Sequence, residues 1–423
     1  MPVRRFDSAG WRGSAESRRR LDLSSLTKER AAVQEICARV LAEGDAALRE
    51  LGRRFEGWAP AAGESFAVPQ DEMEAAYRRV DAEDIAALGL AAKRITEFHQ
   101  RQVPSDRDEG ATLSLVTRPV RRAGLYAPGG RATYPSTVLM TAIPARVAGV
   151  AEIVLATPPR SDGTVPDAIL AAALIGGVDT VFRVGGAQAI AAFAYGTETI
   201  RRVDLIAGPG NVYVTLAKKE VFGSVGVDGI AGPTEVVVVA DSTARADFLA
   251  ADLAAQLEHD PHAWGVLFTD SSELAGRVAE ELDSLVRGLE RREIIGAATC
   301  CLVVTKSMDE AIALADEFAP EHLLLVAEDA EGLVARIRNA GAVFVGPYAT
   351  VPLGDYVAGP NHTLPTSGAA RFASPLGVHT FLKRTSVLRL ERQDLEVLRP
   401  AAVRLAELEG LGGHTHAIEV RLE

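Results

Sequence analysis

The sequence predicts an α/β protein with two open, mostly parallel Rossmann-like sheets, a helical N-terminal region and a small C-terminal helical extension. From about Leu113 onward, short β-rich runs alternate with helix-compatible stretches. These runs are almost continuously apolar, which is typical of strands covered by helices on both faces. The chain has 423 residues, more than one ordinary core needs, so two or more domains are expected.

The β-rich runs form two series along the chain. Each run has the length of a strand, and a helix-compatible stretch follows it. Two open sheets in one chain leave a cleft between them, where ligands usually bind. The first series starts at Glu152, Thr180 and Val203, and the second at Glu235, Trp264, Cys301, His322 and Ala342.

Both ends of the chain are predicted to be helical. From Leu26 to Gln102 the residues Ala, Leu, Arg and Glu recur at helical spacing, and this region is predicted to be scaffold or dimer surface. Helical periodicity returns over Gln393 to Leu408. A final short strand is expected after the glycine-rich stretch 410–413.

Composition and charge argue against several classes of function. A net charge of −12 does not favour nucleic-acid binding. No apolar run reaches the length of a membrane span, and the residues after Met1 lack the apolar core of a signal peptide. The three cysteines, Cys37, Cys300 and Cys301, cannot form a disulfide framework. A soluble protein of the reducing cytoplasm is therefore expected.

Short polar strings that interrupt the apolar sequence carry the candidate chemistry. They supply imidazoles, carboxylates and an amide oxygen, which a divalent metal with a neighbouring acid/base pair requires. The strings contain Gln256 with His259, Glu321 with His322, Asp355, His362, and Glu409 with His414.

Two of these strings adjoin predicted regular structure. Gln256 and His259 are three residues apart at the predicted end of a helix, so their side chains share one face. Taken alone, that pair is better explained as a polar helix end. Glu321 and His322 open an apolar strand, where they suit proton transfer and activation of a water, although polar strand ends also occur for solubility.

The other strings fall among turn-forming residues. Asp355 and His362 lie in a segment rich in Gly and Pro that predicts a loop, where a lone carboxylate is usually solvated. His414 and His416 follow two glycines, and on a strand they would share a face. Either imidazole could bind a metal, and the alternative is a mobile tail.

Two glycine-rich turns follow predicted strands and favour a nucleotide. Gly185 to Gln188 and Gly208 to Asn211 both join a strand to a helix, so that backbone amides could face a cofactor phosphate. Neither turn has the full dinucleotide fingerprint, so each signal is weak alone. Cys300 and Cys301 have no neighbouring His or Lys, and buried structural thiols are more common than nucleophiles in such a setting.

Taken in order, the motifs resemble those of the histidinol dehydrogenase family of zinc enzymes, which act in the last steps of histidine biosynthesis. The resemblance runs over nearly the whole chain. The matching stretches are Gly124-Leu-Tyr-Ala-Pro-Gly-Gly, Arg183-Val-Gly-Gly-Ala-Gln-Ala-Ile-Ala-Ala, Gly208-Pro-Gly-Asn, Ala231-Gly-Pro-Thr-Glu-Val, Gln256-Leu-Glu-His, Pro320-Glu-His-Leu, Gly354-Asp-Tyr and Asn361-His-Thr-Leu-Pro-Thr.

The resemblance implies a role for each site residue. It implies one zinc ion per subunit, with the ligands Gln256, His259, Asp355 and His414. The implied catalytic acid/base pair is Glu321 and His322. The implied substrate contacts are Thr234, His362 and Glu409, together with His322 and the four zinc ligands. The implied NAD contacts are Tyr126, Gln188 and Asn211. The family often has Ser at the position of Thr234, so the hydroxyl is kept.

The resemblance also implies the reaction. It is the four-electron oxidation of L-histidinol to L-histidine through bound L-histidinaldehyde, with two molecules of NAD. Zinc orients the substrate, His322 is the general base and Glu321 activates water. A related zinc- and NAD-dependent dehydrogenase of another small polar alcohol is the near alternative. A zinc hydrolase and a non-catalytic α/β binding protein are more distant ones.

An intertwined homodimer is expected from the same resemblance, with His414 completing the active site of the partner chain. The expected domains are an N-terminal segment (1–22), a larger metal-binding and catalytic α/β domain (23–125 with 235–380), a smaller NAD-contacting Rossmann-like domain (126–234) and a C-terminal dimerisation segment (381–423).

Overall fold

The computed structural model describes residues 3–18, 25–104, 112–129 and 133–423. The chain divides into two compact units, of which the first comprises 1–103 and 120–381 and the second 104–119 and 382–423. Within the described residues, no helix combines the length and apolar composition that crossing a membrane requires.

Thirteen strands in the described residues form the sheets. In chain order they are β1 (Val3–Asp7), β2 (Leu113–Pro119), β3 (Arg122–Tyr126), β4 (Glu152–Thr157), β5 (Thr180–Arg183), β6 (Leu205–Ala207), β7 (Gly226–Val227), β8 (Glu235–Ala240), β9 (Trp264–Thr269), β10 (Thr299–Val304), β11 (His322–Val326), β12 (Ala342–Val345) and β13 (Leu382–Leu388).

Helices cover the sheets and form the chain ends. In chain order they are α1 (Ser8–Gly13), α2 (Thr27–Glu43), α3 (Asp45–Phe55), α4 (Gln70–Arg79), α5 (Ala82–Gln100), α6 (Pro135–Val147), α7 (Asp167–Gly176), α8 (Gly186–Tyr195), α9 (Val212–Val221), α10 (Ala246–Leu257), α11 (Ser272–Gly288), α12 (Arg292–Ala297), α13 (Met308–Phe318), α14 (Ala330–Val334), α15 (Val351–Tyr356), α16 (Arg392–Leu408) and α17 (Gly412–Glu419).

The larger sheet of the first unit is parallel and has the strand order β1-β10-β9-β8-β11-β12. Its central strand β8 is fully buried, because alternate valines face opposite helical layers. Val236 and Val238 belong to the cluster with α10 and α11, whereas Val237 and Val239 belong to the cluster with α13. Burial on both faces explains why this strand is a continuous apolar run in the sequence.

The smaller sheet is also parallel, with the order β5-β4-β3-β6-β7. The chain passes from β3 to β4 on one side and later to β6 on the other. The crevice between β3 and β6, at the carboxyl ends of these strands, is therefore the switch point where such sheets bind ligands.

The N-terminal helices pack on this smaller sheet. Residues of α2 and α3 share a core cluster with α8 and α9, and residues of α4 and α5 share another with α6 and α7. This packing differs from the expected grouping of 23–125 with 235–380, since helical periodicity shows that a helix has an apolar face but not which sheet that face covers. The smaller sheet also starts at Arg122, a few residues before the expected limit of 126.

The second unit contains an antiparallel pair, β13 with β2, and the helices α16 and α17. The short strand expected after the glycines at 410–413 is wrong, because this segment is α17. Arg399 on α16 makes a two-pronged ion pair with Glu419 at the end of α17, with nitrogen to oxygen distances of 2.7 and 2.8 Å. His414 and His416 consequently lie on a helix.

The predicted fold class is confirmed, and all eight predicted runs of the two series contain strands. Five strands, β1, β2, β3, β7 and β13, were not predicted from the sequence. The loop expected at 346–360 was also wrong, because the structure has the short helix α15 there, with Asp355 inside it. Pro352 lies in the first turn of this helix. Backbone N–H groups in the first turn have no partner within the helix, so the missing N–H of proline does not break the helix there.

A partly buried hydrogen bond joins α15 to α10. Thr350, which precedes α15, donates its hydroxyl to the carboxylate of Asp252 on α10. Burial raises the pKa of Asp252, and the hydrogen bond from Thr350 opposes this rise. The bond therefore fixes the helix that carries Gln256 against the helix that carries Asp355.

Replacing Asp252 by Ala is expected to lower the free energy of unfolding by about 1–3 kcal/mol, because the hydrogen bond from Thr350 to the buried Asp252 carboxylate is lost. Urea denaturation would measure the change. The matched control is Asp247→Ala on the same helix, where the carboxylate pairs with Arg245 at the surface and a change within about 0.5 kcal/mol is expected. Equal effects of both substitutions would contradict this role for Asp252.

Candidate active site

The candidate catalytic residues meet at the amino edge of the larger sheet. Thr234 directly precedes β8, and Glu321 and His322 lie where β11 begins. Gln256 lies in the last turn of α10, and His259 lies in the connection from α10 to β9. All these segments lead into parallel strands, so they come together at one edge. Sheets of this kind usually bind ligands at the opposite, carboxyl edge.

The backbone of Glu235 holds both members of the acid/base pair. Its N–H donates to Glu321 Oε2 over 2.9 Å, and its carbonyl oxygen lies 3.1 Å from His322 Nδ1. Both side chains are buried, with 6% of Glu321 and 3% of His322 exposed. A carbonyl oxygen can only accept, so His322 donates from Nδ1, and in the neutral ring Nε2 keeps its lone pair.

His322 Nε2 points towards Asp355, whose Oδ1 is 3.7 Å away. Burial alone would lower the pKa of His322, but the nearby carboxylates of Glu321 and Asp355 outweigh it and raise the pKa to about 9. A cation bound to Asp355 would neutralise part of this effect and lower the pKa of His322. The imidazole can then act as a base nearer neutral pH.

Thr234 links the acid/base pair to Gln256. Its hydroxyl donates to Glu321 Oε2 over 2.5 Å and accepts from Gln256 Nε2. Gln256 is 2% exposed, and its Oε1 has no hydrogen-bond partner among the described residues. A buried amide oxygen without a donor is costly, which makes this atom a good candidate ligand for a cation.

A hydrogen bond holds His362 against Asp355, seven residues earlier in the chain. His362 Nδ1 donates to the backbone carbonyl of Asp355 over 2.9 Å, and His362 Nε2 lies 3.3 Å from Thr137 Oγ1. The buried Asn361 donates to the carbonyl of Met140 over 2.6 Å and so fixes this turn. Burial is the main cause that lowers the pKa of His362, so this imidazole is neutral near pH 7.

His259 also lies close enough to Asp355 to act on its charge. Burial would raise the pKa of Asp355, but the imidazoles of His322, His362 and His259 together outweigh it and lower that pKa. Of the predicted pair Gln256 and His259, the imidazole of His259 thus acts on the charge of Asp355. His259 itself is exposed at the surface of the first unit.

A cavity of about 810 Å³ adjoins this cluster. His322, Asp355 and His362 lie in its wall, together with Asp228, which follows β7 of the smaller sheet. The cavity therefore lies between the amino edge of the larger sheet and the carboxyl edge of the smaller one. It is large enough for a small substrate.

The predicted cofactor residues lie at the carboxyl edge of the smaller sheet. Tyr126 ends β3, Gln188 lies in the first turn of α8, and Asn211 precedes α9. Tyr126 and Asn211 thus flank the switch point between β3 and β6, as expected for a cofactor site. Asn211 is exposed, whereas Tyr126 and Gln188 are buried.

The two glycine-rich turns differ from the expectation that their amides face a phosphate. The N–H groups of Gly185 and Gly186 already donate to the Glu56 carboxylate and the Tyr126 hydroxyl, over 2.6 and 2.9 Å. At the second turn the side chain of Asn211 caps the first amides of α9. Several amides at both helix starts therefore already have partners among the chain's own side chains.

The remaining predicted site residues, Glu409 and His414, belong to the second unit. Glu409 ends α16 and His414 lies in the first turn of α17, and both are exposed. In the described part of the chain, no group of three or more His, Cys, Asp or Glu side chains has the arrangement of a metal site.

Cys300 and Cys301 are buried in β10, as expected for structural thiols. Burial raises the pKa of both, to about 12 for Cys301. Neither forms the thiolate that a nucleophile requires near neutral pH.

Comparison with known proteins identifies the family. Residues 18–422 match the family model described as histidinol dehydrogenase. The chain belongs to the histidinol dehydrogenase family. The histidinol dehydrogenase of Moorella thermoacetica is 49% identical over 93% of this chain and 94% of its own length. That of Parasynechococcus marenigrum is 48% identical over 96% and 93%.

A solved structure agrees with this membership. The crystal structure of histidinol dehydrogenase from Elizabethkingia anophelis has a TM-score of 0.90 and 34% identity, covering 99% of this chain and 98% of that one. The family predicted from the ordered motifs is confirmed, and so is the expectation of an oxidoreductase.

Two contributors to this site were missed as functional groups by the sequence analysis. The backbone of Glu235 could have been suspected, since Glu235 stands in the matching stretch that starts at Ala231. Thr137, which contacts His362, carries no signal in the sequence because it lies on the first turn of a largely apolar helix.

Replacing Asp355 by Asn is expected to lower the pKa of His322 in metal-stripped protein, since one of the two carboxylates that raise it is lost. In the folded wild type, protonation of His322 stabilises the fold. That contribution is complete below pH 6.5 and is lost as the pH rises through about 9.

An NMR titration of ¹⁵N-histidine-labelled protein would measure this pKa. Asp260→Asn is a suitable control, because Asp260 follows His259 at the surface and is not among the causes of the His322 shift. An unchanged pKa in Asp355→Asn would show that Asp355 does not act on His322.

Proposed function

We propose that this chain oxidises L-histidinol to L-histidine, through bound L-histidinaldehyde, with two molecules of NAD. The observation that carries the proposal is the pair Glu321 and His322, held on the backbone of Glu235 beside a substrate-sized cavity. Membership of the histidinol dehydrogenase family supports the choice of substrate.

In the first oxidation, His322 Nε2 accepts the proton of the substrate hydroxyl while the hydride leaves the alcohol carbon for NAD. The Nδ1–H bond to the Glu235 carbonyl keeps the ring in the tautomer that this step needs. The products of the step are the aldehyde, NADH and a proton on His322.

In the second oxidation, the Glu321 carboxylate takes a proton from water as the water oxygen adds to the aldehyde. His322, which has released its first proton to water, then removes a proton from the hydrate, and a second hydride leaves for a second NAD to give the carboxylate of L-histidine. The donors Thr234 and Glu235 aim Glu321 Oε2, so this carboxylate is held in place before the reaction starts.

The donor set around the cavity fits a zinc ion. Gln256 offers a buried amide oxygen without a hydrogen bond, Asp355 a carboxylate, and His259 an imidazole within electrostatic reach of it. We propose that these three residues, with His414 of the partner subunit, hold one zinc ion per site. When bound, zinc would hold the substrate's imidazole and amine and so orient the alcohol carbon.

The NAD site is proposed at the switch point of the smaller sheet, with Tyr126, Gln188 and Asn211 as contacts. The location of all three at the carboxyl edge supports this assignment. Because several amides of both turns are already bonded, the cofactor phosphates gain less from them, which suits a cofactor that must be exchanged once per turnover.

A homodimer is proposed because the first unit provides only part of the implied zinc site. The helix α16 supports it with an exposed apolar face, formed by Val397, Leu398, Leu405 and Leu408. In the dimer, Glu409 and His414 of one subunit would contact the substrate of the other. Thr234 and His362 of the first unit complete the proposed substrate contacts.

The cytoplasm is the proposed location. All three cysteines, Cys37, Cys300 and Cys301, are free and buried. Free thiols suit a reducing compartment.

Zinc-loaded wild-type enzyme is expected to form two NADH for each L-histidine produced from L-histidinol. Glu321→Gln should still oxidise the alcohol. Its oxidation of added L-histidinaldehyde should be slower than that of the wild type by a factor of about one hundred or more, because a neutral amide cannot take a proton from water. NADH absorbance with chromatographic analysis of the products measures both steps.

His322→Asn is the control for this experiment and should lose both oxidations while its zinc content stays normal. Oxidation of the aldehyde by Glu321→Gln at the wild-type rate would rule out the water-activating role of Glu321. One NADH per substrate, with the aldehyde as the final product, would contradict the proposed function itself.

Mixing His414→Ala chains with His322→Asn chains is expected to restore partial activity to two inactive proteins. In a shared site, one of the two active sites of a heterodimer receives both intact residues. Refolding the differently tagged chains together, purifying the heterodimer and assaying it tests this. Absence of activity in verified heterodimers would argue against a ligand donated across the interface.

A further inference from the structure

Glu56 is a half-buried carboxylate at the proposed cofactor site with no role in the reaction described above. It ends helix α3, and its side chain reaches the first turn of α8. There, Glu56 Oε1 accepts from the backbone N–H of Gly185 over 2.6 Å and from Gln188 Nε2 over 3.2 Å. A distant segment thus holds the turn that precedes α8, at a position where glycine has no side chain of its own to do so.

The close approach of this carboxylate explains the glycine pair. A Cβ on Gly185 would lie 2.7 Å from Glu56 Oε1 and 2.5 Å from Pro158 Cβ, so a side chain there would displace both. Gly186 has a φ of +61°, in the left-handed region that favours glycine. The turn is therefore built around the Glu56 carboxylate.

The same carboxylate decides how the Gln188 amide points. Because Gln188 Nε2 donates to Glu56, its Oε1 is directed away from that carboxylate, and a Cβ on Gly186 would lie 2.8 Å from it. Tyr126 is fixed by the neighbouring amide, since its hydroxyl accepts from Gly186 N–H. Burial raises the pKa of Glu56 to about 7, against the two hydrogen bonds from Gly185 and Gln188.

We propose that Glu56 is a positioning residue of the cofactor site, which sets the turn from Gly185 to Gln188 and the direction of the Gln188 amide. The proposal rests on the assignment of Gln188 to NAD binding. Glu56 acts through hydrogen-bond acceptance, so a side chain of the same shape with one acceptor oxygen can replace it.

The test compares the variants Glu56→Ala, Glu56→Gln and Gln188→Ala in zinc-loaded full-length enzyme. Glu56→Ala is expected to weaken NADH binding and raise the KM for NAD by about tenfold, the effect of one hydrogen bond to a charged group. The KM for L-histidinol should not change. Glu56→Gln should stay within about threefold of wild type, because its amide oxygen accepts from both donors.

Glu64→Ala is the matched control. Glu64 lies in the same N-terminal region and also accepts from a backbone amide, that of Ala61 over 3.1 Å, but not from α8. It should leave NADH binding unchanged. If Glu56→Ala does not fold, Glu56→Asp replaces it, since the shorter side chain withdraws the carboxylate from Gln188.

The outcomes separate this proposal from the assignment on which it rests. If Gln188→Ala weakens NADH binding and Glu56→Ala or Glu56→Asp does not, the positioning role fails and the cofactor assignment stands. If Gln188→Ala leaves NADH binding unchanged, the cofactor assignment of Gln188 fails and the role of Glu56 with it. Glu56→Gln as impaired as Glu56→Ala would overturn the role as a hydrogen-bond acceptor. Fluorescence titration with NADH and steady-state kinetics provide both readouts.

Discussion

The parallel pairing of β8 with β11 is the constraint on which the catalytic site depends. In this register His322 lies opposite Val236, so the backbone of the preceding residue, Glu235, faces the start of β11. One amide and one carbonyl of the same residue then fix Glu321 and His322. Backbone groups in a central buried strand have little freedom to move, so both side chains are held in place before a substrate arrives.

The two sheets are used with opposite polarity. The catalytic side chains come from connections that lead into strands of the larger sheet, whereas the proposed cofactor residues come from connections that leave strands of the smaller one. The cavity with His322 and Asp228 in its wall lies where these two edges face each other. In the proposed reaction, the larger sheet would therefore supply the proton acceptor, and the smaller sheet would supply the binding site of the hydride acceptor, NAD.

Local charge gives the imidazoles of His322 and His362 different properties. His322 contacts the carboxylates of Glu321 and Asp355, which raise its pKa against the effect of burial. His362 donates instead to the backbone carbonyl of Asp355, and burial lowers its pKa. Asp355 thus lies next to both a histidine that changes its protonation state, His322, and one that stays neutral, His362. The first suits proton transfer and the second suits substrate binding.

The fold class, the strands of both series and the family could all be predicted from the amino-acid sequence. Strands buried on both faces are continuous apolar runs, and the family is recognisable from short motifs that occur in a fixed order along the chain. The sequence also located Glu321 and His322 at the start of a strand. The sequence could not show that Asp355 lies in a helix, because glycine and proline that break helices elsewhere are tolerated at the first turn and at the ends.

Which of these polar strings come together in space could not be predicted and depends on the folded chain. Thr234, Gln256 and Glu321 come together because three separate connections end at one edge of one sheet, and no local pattern encodes that edge. The Glu235 backbone and the Glu56 carboxylate act through contacts with residues far away in the chain. Periodicity reports the burial of each element, whereas such contacts depend on strand order and register, which are set by the packing of the whole unit.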